Sequence, residues 1–455
     1  MSELLDFIDS KIMWGPAMII FLLGTHIYLT FKTGIVQKKV FKGIKLSLQN
    51  EKSDKGNLSV FGSLMTALSS TIGTGNIIGV GTAIVTGGPG AVLWTWIGGI
   101  FGIATKYAES YIAVKYRRKQ ENGEYIGGAM TAFEHLNKPL LAKLFAWCCT
   151  LCAFGIGNAT QSGAIADSMY ENFGIDVRIT GIIICVLTAL VVFGGVKKIA
   201  DVCEKLVPVM SIIYVIGCVV ILGINIKYVP TALMVIFKDA FTSKALIGGF
   251  IGNAVIDTMR AGIARGLFSN EAGMGSAPQA TATSQASNAV KPALVGSTGV
   301  FWDTVVVCLM TGLVIVSSVI SNPNIDLSNG TITKGAVLVS ACFSQIPFFG
   351  TPLLVFGILT FAFSTILGWS YYGENCFRYL YGDKVIKPYR IAWIIVIFIG
   401  VVLQESDAWV IADILNAVMC IPNVIAVLMC QKELYADTKY YLYEDNLDEV
   451  DETIE

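Results

Sequence analysis

Charged residues are scarce in this sequence, and there are only two histidines. Of the 455 residues, 14% are Asp, Glu, Lys or Arg, whereas about a quarter are charged in a soluble globular chain. The 32 basic and 33 acidic residues give a net charge of −1, which excludes the basic footprint of a nucleic-acid-binding protein. His26 and His135 are too few and too widely separated for a histidine metal site or a histidine proton relay.

Several motifs are also missing. No P-loop of the form G-x-x-x-x-G-K-[ST] occurs, so ATP is not expected to drive the protein directly. The first apolar run follows an acidic leader, MSELLDFIDSK, and we expect it to stay in the protein because a signal peptide needs a basic start and a cleavage site. The eleven cysteines are scattered, which favours packing roles. With no catalytic constellation either, we predict that the chain is not an enzyme and needs no cofactor.

Apolar residues, by contrast, make up 54% of the chain. A helix needs about 20 mostly apolar residues to cross a bilayer, and we find about eleven such runs. They cover residues 14–31, 60–86, 89–112, 145–170, 178–196, 206–226, 247–273, 293–320, 350–375, 389–404 and 409–430. The sequence therefore predicts an all-α polytopic protein of the cell membrane, with the lipid bilayer as its surroundings.

Lysine and arginine are concentrated in alternate loops, which predicts the orientation of the chain. Residues 32–56 hold seven lysines, and 113–144, 197–205 and 376–388 are also basic. Because basic loops stay in the cytoplasm, the N-terminus should lie outside and the C-terminus inside. Lysines at 227, 238 and 244, in a predicted outer loop, depart from this pattern.

Two of the predicted spans contain residues that interrupt helices. SSTIGTGNIIGVG (69–81) has four glycines, each costing roughly 1 kcal/mol inside a helix. RGLFSNEAGMGS (265–276) combines glycine with Ser269, Asn270 and Glu271. Close helix packing explains some of these glycines, but not the polar residues beside them. Unwound backbone inside a membrane must line a cavity or lie within protein, so we predict two broken helices.

If residues 14–31 form an extra N-terminal span, the broken helices are the first and sixth of ten. This arrangement is typical of a 5+5 inverted-repeat secondary transporter. The predicted divisions are an outer leader with the extra span (1–31), a basic cytoplasmic loop (32–59), the first five-helix repeat (60–226), the second five-helix repeat (227–430) and an acidic cytoplasmic tail (431–455). The second repeat carries outer amphipathic segments at 228–245 and 331–346, and the end of the tail, YEDNLDEVDETIE, is expected to be disordered.

The chain resembles the alanine/glycine:cation symporters, the sodium:alanine symporters of bacteria and archaea. The likeness covers roughly residues 14–430 and is carried by STIGTGNIIGVGTAI, GGPGAVLWTWIGGIFGIATKYAE, GNATQS, ARGLFSNEAGMGSAP and FSTILGWSYYGE. One departure is Leu93-Trp94-Thr95-Trp96, where the family usually has Phe-Trp-Met-Trp. The resemblance implies a leucine-transporter-like fold and sodium-coupled uptake of alanine or glycine, and we expect the chain to act as a monomer.

For the amino acid, the freed amides near Thr74, Gly75 and Asn76 are candidates to bind the carboxylate. The resemblance places Gln161 beside them. The ammonium group would bind around Phe268–Asn270, and Phe268 and Trp369 would form walls that leave space for little more than a methyl group. The competing interpretation is that each ring is a membrane-core aromatic.

Two sodium sites are expected by analogy with the fold. The first comprises the Ser364 and Thr365 hydroxyls with the carbonyls of Ser69, Ile72 and Phe361. The second comprises the Thr71 carbonyl, the Asn76 side chain and Ser269. For Ser364 and Thr365 the competing interpretation is that each hydroxyl bonds back to the preceding turn.

Ionisable residues within spans are functional candidates by default. Lys106 and Glu109, three residues apart on one helix, are expected to pair near the cytoplasmic interface. Asp257, Arg260 and Arg265 are candidates for an outer gate. Glu271 and Asp303 could hold the inner half of the bundle or balance Arg265; either could also serve proton coupling. Proton-coupled transport is therefore the alternative function, followed by an ion channel.

Overall fold

Helices dominate the computed structural model, which describes residues 7–49, 55–242, 254–402 and 405–454. The α-helices are α1 (Pro16–Lys32), α2 (Val40–Ser47), α3 (Val60–Thr71), α4 (Val80–Gly87), α5 (Ala91–Lys115), α6 (Ala129–His135), α7 (Pro139–Phe154), α8 (Thr160–Phe173), α9 (Val177–Val192), α10 (Gly195–Ile224), α11 (Val229–Asp239), α12 (Val255–Asn270), α13 (Pro278–Ala282), α14 (Val290–Val300), α15 (Leu309–Ser321), α16 (Gly335–Phe343), α17 (Gly350–Tyr381), α18 (Ile386–Val402), α19 (Glu405–Met429) and α20 (Gln431–Asp437). Strands β1 (Arg118–Lys119) and β2 (Tyr125–Ile126) pair antiparallel, with Arg118 opposite Ile126.

Three π-helical segments interrupt the spans. They are Gly75–Gly79 before α4, Gly155–Ala159 between α7 and α8, and Phe301–Cys308 between α14 and α15. Two more, Ile8–Met13 and Thr438–Tyr443, precede α1 and follow α20, and 3₁₀ turns cover Val36–Lys39 and Asp383–Val385. A π turn shifts the direction of the side chains that follow it and is frequent at functional sites.

The first predicted break is confirmed. Helix α3 begins at a Ser59 cap, whose hydroxyl accepts a hydrogen bond from the Gly62 amide at 2.8 Å, and it ends at Thr71. Ile72 then adopts an extended conformation (φ −77°, ψ 93°). The helical segments Val60–Thr71 and Gly75–Gly87 meet at an angle of 51°, so the glycine-rich stretch does interrupt this span.

The second break is also present, but it begins later than predicted. Residues 265–270 continue helix α12, and the helix ends where Glu271 takes a left-handed conformation (φ 55°, ψ 23°). Gly273 and Gly275 have φ values of 101° and 73°, which only glycine adopts readily. The short helix α13 follows, so the two halves of the broken span are of unequal length.

Five helical segments of the described residues are long and apolar enough to cross a membrane, or up to eight if each bent pair forms one span. The count of eleven and the orientation therefore stay predictions. Helices α11 and α16 lie within the predicted outer segments 228–245 and 331–346. Residues 243–253, which include the end of the first segment and the start of the predicted span 247–273, lie outside the described residues.

The acidic tail is folded, contrary to the prediction of disorder. Leu442, Leu447 and Ile454 are buried. The Lys115 ammonium pairs with Asp437 and Asp451 at 2.9 and 2.7 Å. Acidic composition alone predicted a solvated tail, but basic partners elsewhere in the chain neutralise these carboxylates and apolar side chains between them are buried.

Further contacts hold the tail to the loop before α14. The Asp451 amide donates to the Ser287 carbonyl at 2.8 Å, and the Asn288 side chain donates to the Leu447 carbonyl at 2.9 Å. Burial alone would raise the pKa of Asp451, but hydrogen bonds from Lys115 and Thr453 outweigh it, and the pKa of Asp451 lies below its usual value.

Candidate functional site

The two breaks lie directly against each other. A methyl group built on Gly75 would lie 3.0 Å from Phe268 Cδ1 and 3.2 Å from the Ser269 Cα. Because real side chains rarely tolerate such distances, glycine lets the first break approach the end of α12. The inverted-repeat prediction required this juxtaposition, since the site is formed by both broken helices.

A buried carboxylate connects the two breaks. Asp303 Oδ1 accepts a hydrogen bond from Asn76 Nδ2 at 2.7 Å. The Ser269 hydroxyl lies 3.1 and 3.0 Å from the two carboxylate oxygens, and the Thr304 hydroxyl donates at 2.7 Å. We call these four residues the Asp303 cluster; all are buried. All three donors are neutral, so the carboxylate's charge favours a cation nearby.

Asp303 was missing from the predicted sodium sites. From the sequence, Asp303 is expected to hold the inner half of the bundle or to balance Arg265, whereas it lies with Asn76 and Ser269 of the second predicted sodium site. Its position in an apolar run was a usable signal. Asp303 belongs to the π-helical segment Phe301–Cys308, which the sequence did not predict. The direction of its side chain could therefore not be predicted from the period of a regular α-helix.

The first predicted sodium site is only partly as expected. Its Ser364 and Thr365 hydroxyls both donate to the Phe361 carbonyl at 2.9 Å, as in the competing interpretation. Even so, Thr365 lies at the first break, because a Cβ built on Gly73 would be 2.5 Å from Thr365 Oγ1.

The neighbouring turn of α17 lies equally close to α3. A Cβ built on Gly368 would lie 2.7 Å from the Ser69 hydroxyl, which itself donates to the Thr66 carbonyl at 2.8 Å. Ile72 is the extended residue at the break, and the Thr71 hydroxyl lies 3.4 Å from the Ala67 carbonyl. The structure thus brings α17 onto the break, as this site requires.

Two of the predicted carboxylate-binding residues, Thr74 of the first break and Gln161 of α8, contact each other. The Thr74 amide donates to Gln161 Oε1 at 3.4 Å, and Gln161 Nε2 donates to the Ile156 carbonyl at 3.0 Å. Gln161 therefore lies at the first break, with its donor engaged by the protein. The Thr74 hydroxyl is buried and has no hydrogen-bond partner among the described residues, which makes it available to a ligand.

The remaining predicted binding residues surround the second break. Asn270 accepts from the Ala272 amide at 2.9 Å and donates to Thr304 at 3.0 Å, so it stabilises the break itself. Phe268 packs against Gly75, and Trp369 against Gly157 of the second π-helical segment. Phe268 is 6% exposed and Trp369 1%, so both rings are buried inside the protein.

The charged residues near the second break have partners that sequence reasoning left open. Arg265 pairs with Asp413 of α19 at 2.7 Å; neither Glu271 nor Asp303 balances it. Lys106 Nζ lies 3.9 Å from Glu109 Oε2, which confirms the expected pair, but both residues also contact the main chain of the break.

Comparisons with known proteins agree with this architecture. The model of the sodium:alanine symporter family matches residues 1–454. The sodium/alanine symporter AgcS of Methanococcus maripaludis is 42% identical, with 96% of this chain and 98% of that protein covered. An uncharacterised transporter of Haemophilus influenzae is 43% identical, with 97% and 96% covered.

Among solved structures, that of MhsT in complex with L-phenylalanine has a TM-score of 0.62 at 14% identity, covering 87% of this chain and 95% of that one. This likeness shows the leucine-transporter-like fold of a membrane transporter, as predicted. A family match over nearly the whole chain confirms transport rather than catalysis, sodium-coupled amino-acid symport as the general activity, and a multi-pass protein of the plasma membrane. The chain belongs to the sodium:alanine symporter family.

Proposed function

We propose that the protein carries a small neutral amino acid, alanine or glycine, into the cell together with sodium by alternating access. The observation that supports this most directly is the Asp303 cluster, which joins the two broken helices through a buried carboxylate. A cation bound to this carboxylate would also attract the polar groups of both breaks, and so would hold the two broken helices together. Binding of the driving ion would thus favour the arrangement that closes around the amino acid.

The substrate carboxylate would bind at the first break, near Thr74, Gly75 and Asn76, with Gln161 beside it. The Thr74 hydroxyl, which has no hydrogen-bond partner within the described part of the chain, supplies a donor for the ligand. The ammonium group would face the carbonyls at Phe268–Asn270. Phe268 and Trp369 are large and buried, so larger side chains are rejected by steric clash, whereas a missing methylene costs only about 1–3 kcal/mol.

Sodium would bind at two places, since hard cations prefer oxygen ligands. One site consists of Ser364, Thr365 and the carbonyls of Ser69, Ile72 and Phe361. In the other, the Thr71 carbonyl, Asn76 and Ser269 are joined by the Asp303 carboxylate, which supplies the charge that neutral oxygens lack. At the first site, sodium would have to compete with the hydroxyl hydrogens for the Phe361 carbonyl.

Reconstituted uptake tests the proposal. Purified protein in liposomes is given labelled alanine under an inward sodium gradient, then with sodium replaced by potassium, and then under a proton gradient without sodium. We expect accumulation only with sodium, and competition by glycine and serine but weak competition by leucine. Uptake driven by protons alone would establish proton coupling, and alanine flux without any gradient coupling would indicate a channel.

The first sodium site has its own test, the double variant Ser364→Ala/Thr365→Ala. Removing both hydroxyls should abolish the stimulation of uptake by sodium. Ser370→Ala is the matched control, because its hydroxyl bonds back to the Leu367 carbonyl at 2.6 Å on the same helix. Normal sodium dependence in the double variant would refute this site and leave the Asp303 cluster as the remaining candidate.

A further inference from the structure

Two charged side chains of α5 contact the main chain of the second break. Lys106 Nζ donates to the Glu271 carbonyl at 2.8 Å. Glu109 Oε1 accepts hydrogen bonds from the amides of Gly273 at 2.9 Å and Gly275 at 3.1 Å. Both side chains are almost completely buried, with exposures of 4% and 0%. Two ionisable groups at such a depth require strong compensation.

Their compensation comes mainly from the backbone and less from each other. The distance between Lys106 Nζ and Glu109 Oε2 is 3.9 Å, longer than each of the three contacts to the main chain. The carboxyl end of α12 presents carbonyls, which attract a cation. The two glycine amides, freed by left-handed backbone at Gly273 and Gly275, attract an anion. Each charge therefore faces backbone groups of opposite polarity.

A third element completes the arrangement. Asn423 of α19 donates to Glu109 Oε1 and, at 2.8 Å, to the Gly273 carbonyl. Its side chain also occupies the space that a Cβ on Gly275 would need. The unwound stretch 271–275 is consequently held between α5 and α19, in addition to its own hydrogen bond from the Met274 amide to the Glu271 carbonyl at 3.2 Å.

We propose that Lys106 and Glu109 are positioning residues that hold residues 271–275 in the conformation needed for amino-acid binding. The held stretch follows Phe268–Asn270 directly, and the Ala272 amide binds the Asn270 side chain at 2.9 Å. When the stretch loosens, the candidate site for the ammonium group loses its order. The proposal rests on the proposed function and identifies the pair as determinants of substrate affinity.

Two nearly isosteric substitutions test it: Glu109→Gln keeps an oxygen acceptor for the amides, and Glu109→Leu removes it. We expect the leucine variant to raise the KM for alanine about tenfold or more, because two buried amides lose their acceptor, while the glutamine variant stays within about threefold of the wild type. The maximal rate per folded transporter should change less than KM. Equal impairment of both variants, or an unchanged KM in the leucine variant, would overturn the proposal.

Hydrogen exchange gives a readout that does not depend on the cargo. In protein without sodium or amino acid, amides 271–276 should exchange about tenfold faster or more in the leucine variant than in the glutamine variant. Unchanged exchange would overturn the proposal even if alanine is not the substrate, whereas faster exchange without alanine transport would count against the proposed function alone. If the leucine variant is not recovered, Glu109→Ser decides by the same measurements.

Glu374→Gln is the matched control. Glu374 is also a buried carboxylate on a core helix, but its oxygens bind Arg390 at 2.6 and 2.7 Å. We expect exchange of residues 271–276 to match the wild type in this variant. Faster exchange there, equal to that of the leucine variant, would mean that loss of any buried carboxylate loosens the break and would overturn the specific role of Glu109.

Discussion

Gly73→Ala is the sharpest test of how closely α17 packs on the first break. The new methyl group would lie 2.5 Å from Thr365 Oγ1, well inside van der Waals contact. Rotating the hydroxyl away would break its 2.9 Å hydrogen bond to the Phe361 carbonyl. Overpacking of this kind costs about 1–3 kcal/mol.

If that cost falls on the closed, sodium-bound state, the sodium concentration for half-maximal uptake should rise about 5- to 150-fold. The assay is alanine uptake into proteoliposomes over a range of sodium concentrations. Gly79→Ala serves as the control on the same span, because the nearest atom to its new methyl group would be the Thr74 carbonyl oxygen at 3.9 Å. That variant should keep the wild-type sodium dependence.

A double variant separates packing from ion binding. Gly73→Ala/Thr365→Ala removes the clashing hydroxyl, so thermal stability should return towards the wild-type value. Sodium affinity should remain low if the Thr365 hydroxyl is a ligand. The reasoning is refuted if Gly73→Ala has a half-saturating sodium concentration within twofold of both the wild type and Gly79→Ala.

Three further predictions concern charged groups. Asp303→Asn keeps the hydrogen-bonding shape but removes the charge, and should raise the half-saturating sodium concentration about tenfold or more in the same uptake assay; an unchanged value would exclude Asp303 as a cation ligand. Asp413→Asn leaves Arg265 without its carboxylate and should lower protein stability by about 3 kcal/mol, measured by thermal unfolding with Arg265→Gln/Asp413→Asn as the control that removes both charges. For the tail, the pKa of Asp451 is lower in the folded protein than its usual value of about 3.9. Docking of the tail therefore stabilises the fold above about pH 3.9, and this stabilisation is lost as the pH falls through the folded pKa. A spin label at position 450 should become mobile only in acid, and equal mobility at neutral and acidic pH would contradict this.

The sequence was sufficient for the two breaks and for the fold they imply. Glycine, threonine and asparagine in the middle of apolar runs destabilise a helix at that point, and this effect can be predicted without knowing which helices pack nearby. The exact start of the second break was not readable, because Arg265–Asn270 are compatible with a helix and the left-handed turn begins only at Glu271.

Partners distant in the chain were the main omission. Lys106 and Glu109 were expected to pair because they are three residues apart, yet their shorter contacts are to Glu271, Gly273 and Gly275, more than 160 positions away. Spacing along one helix reveals an i,i+3 neighbour but not the backbone of another element. The tail was misjudged for the same reason, since its neutralising lysines lie in other segments.

The buried thiol of Cys308 contacts two members of the Asp303 cluster. Cys308 Sγ lies 3.3 Å from both Asn76 Nδ2 and Ser269 Oγ, and none of the eleven cysteines forms a disulfide. The protein thus carries a native sulfhydryl at the point where its two broken helices meet. The rate at which a small polar thiol reagent modifies this sulfur would report how often the pathway admits water, with no engineered label.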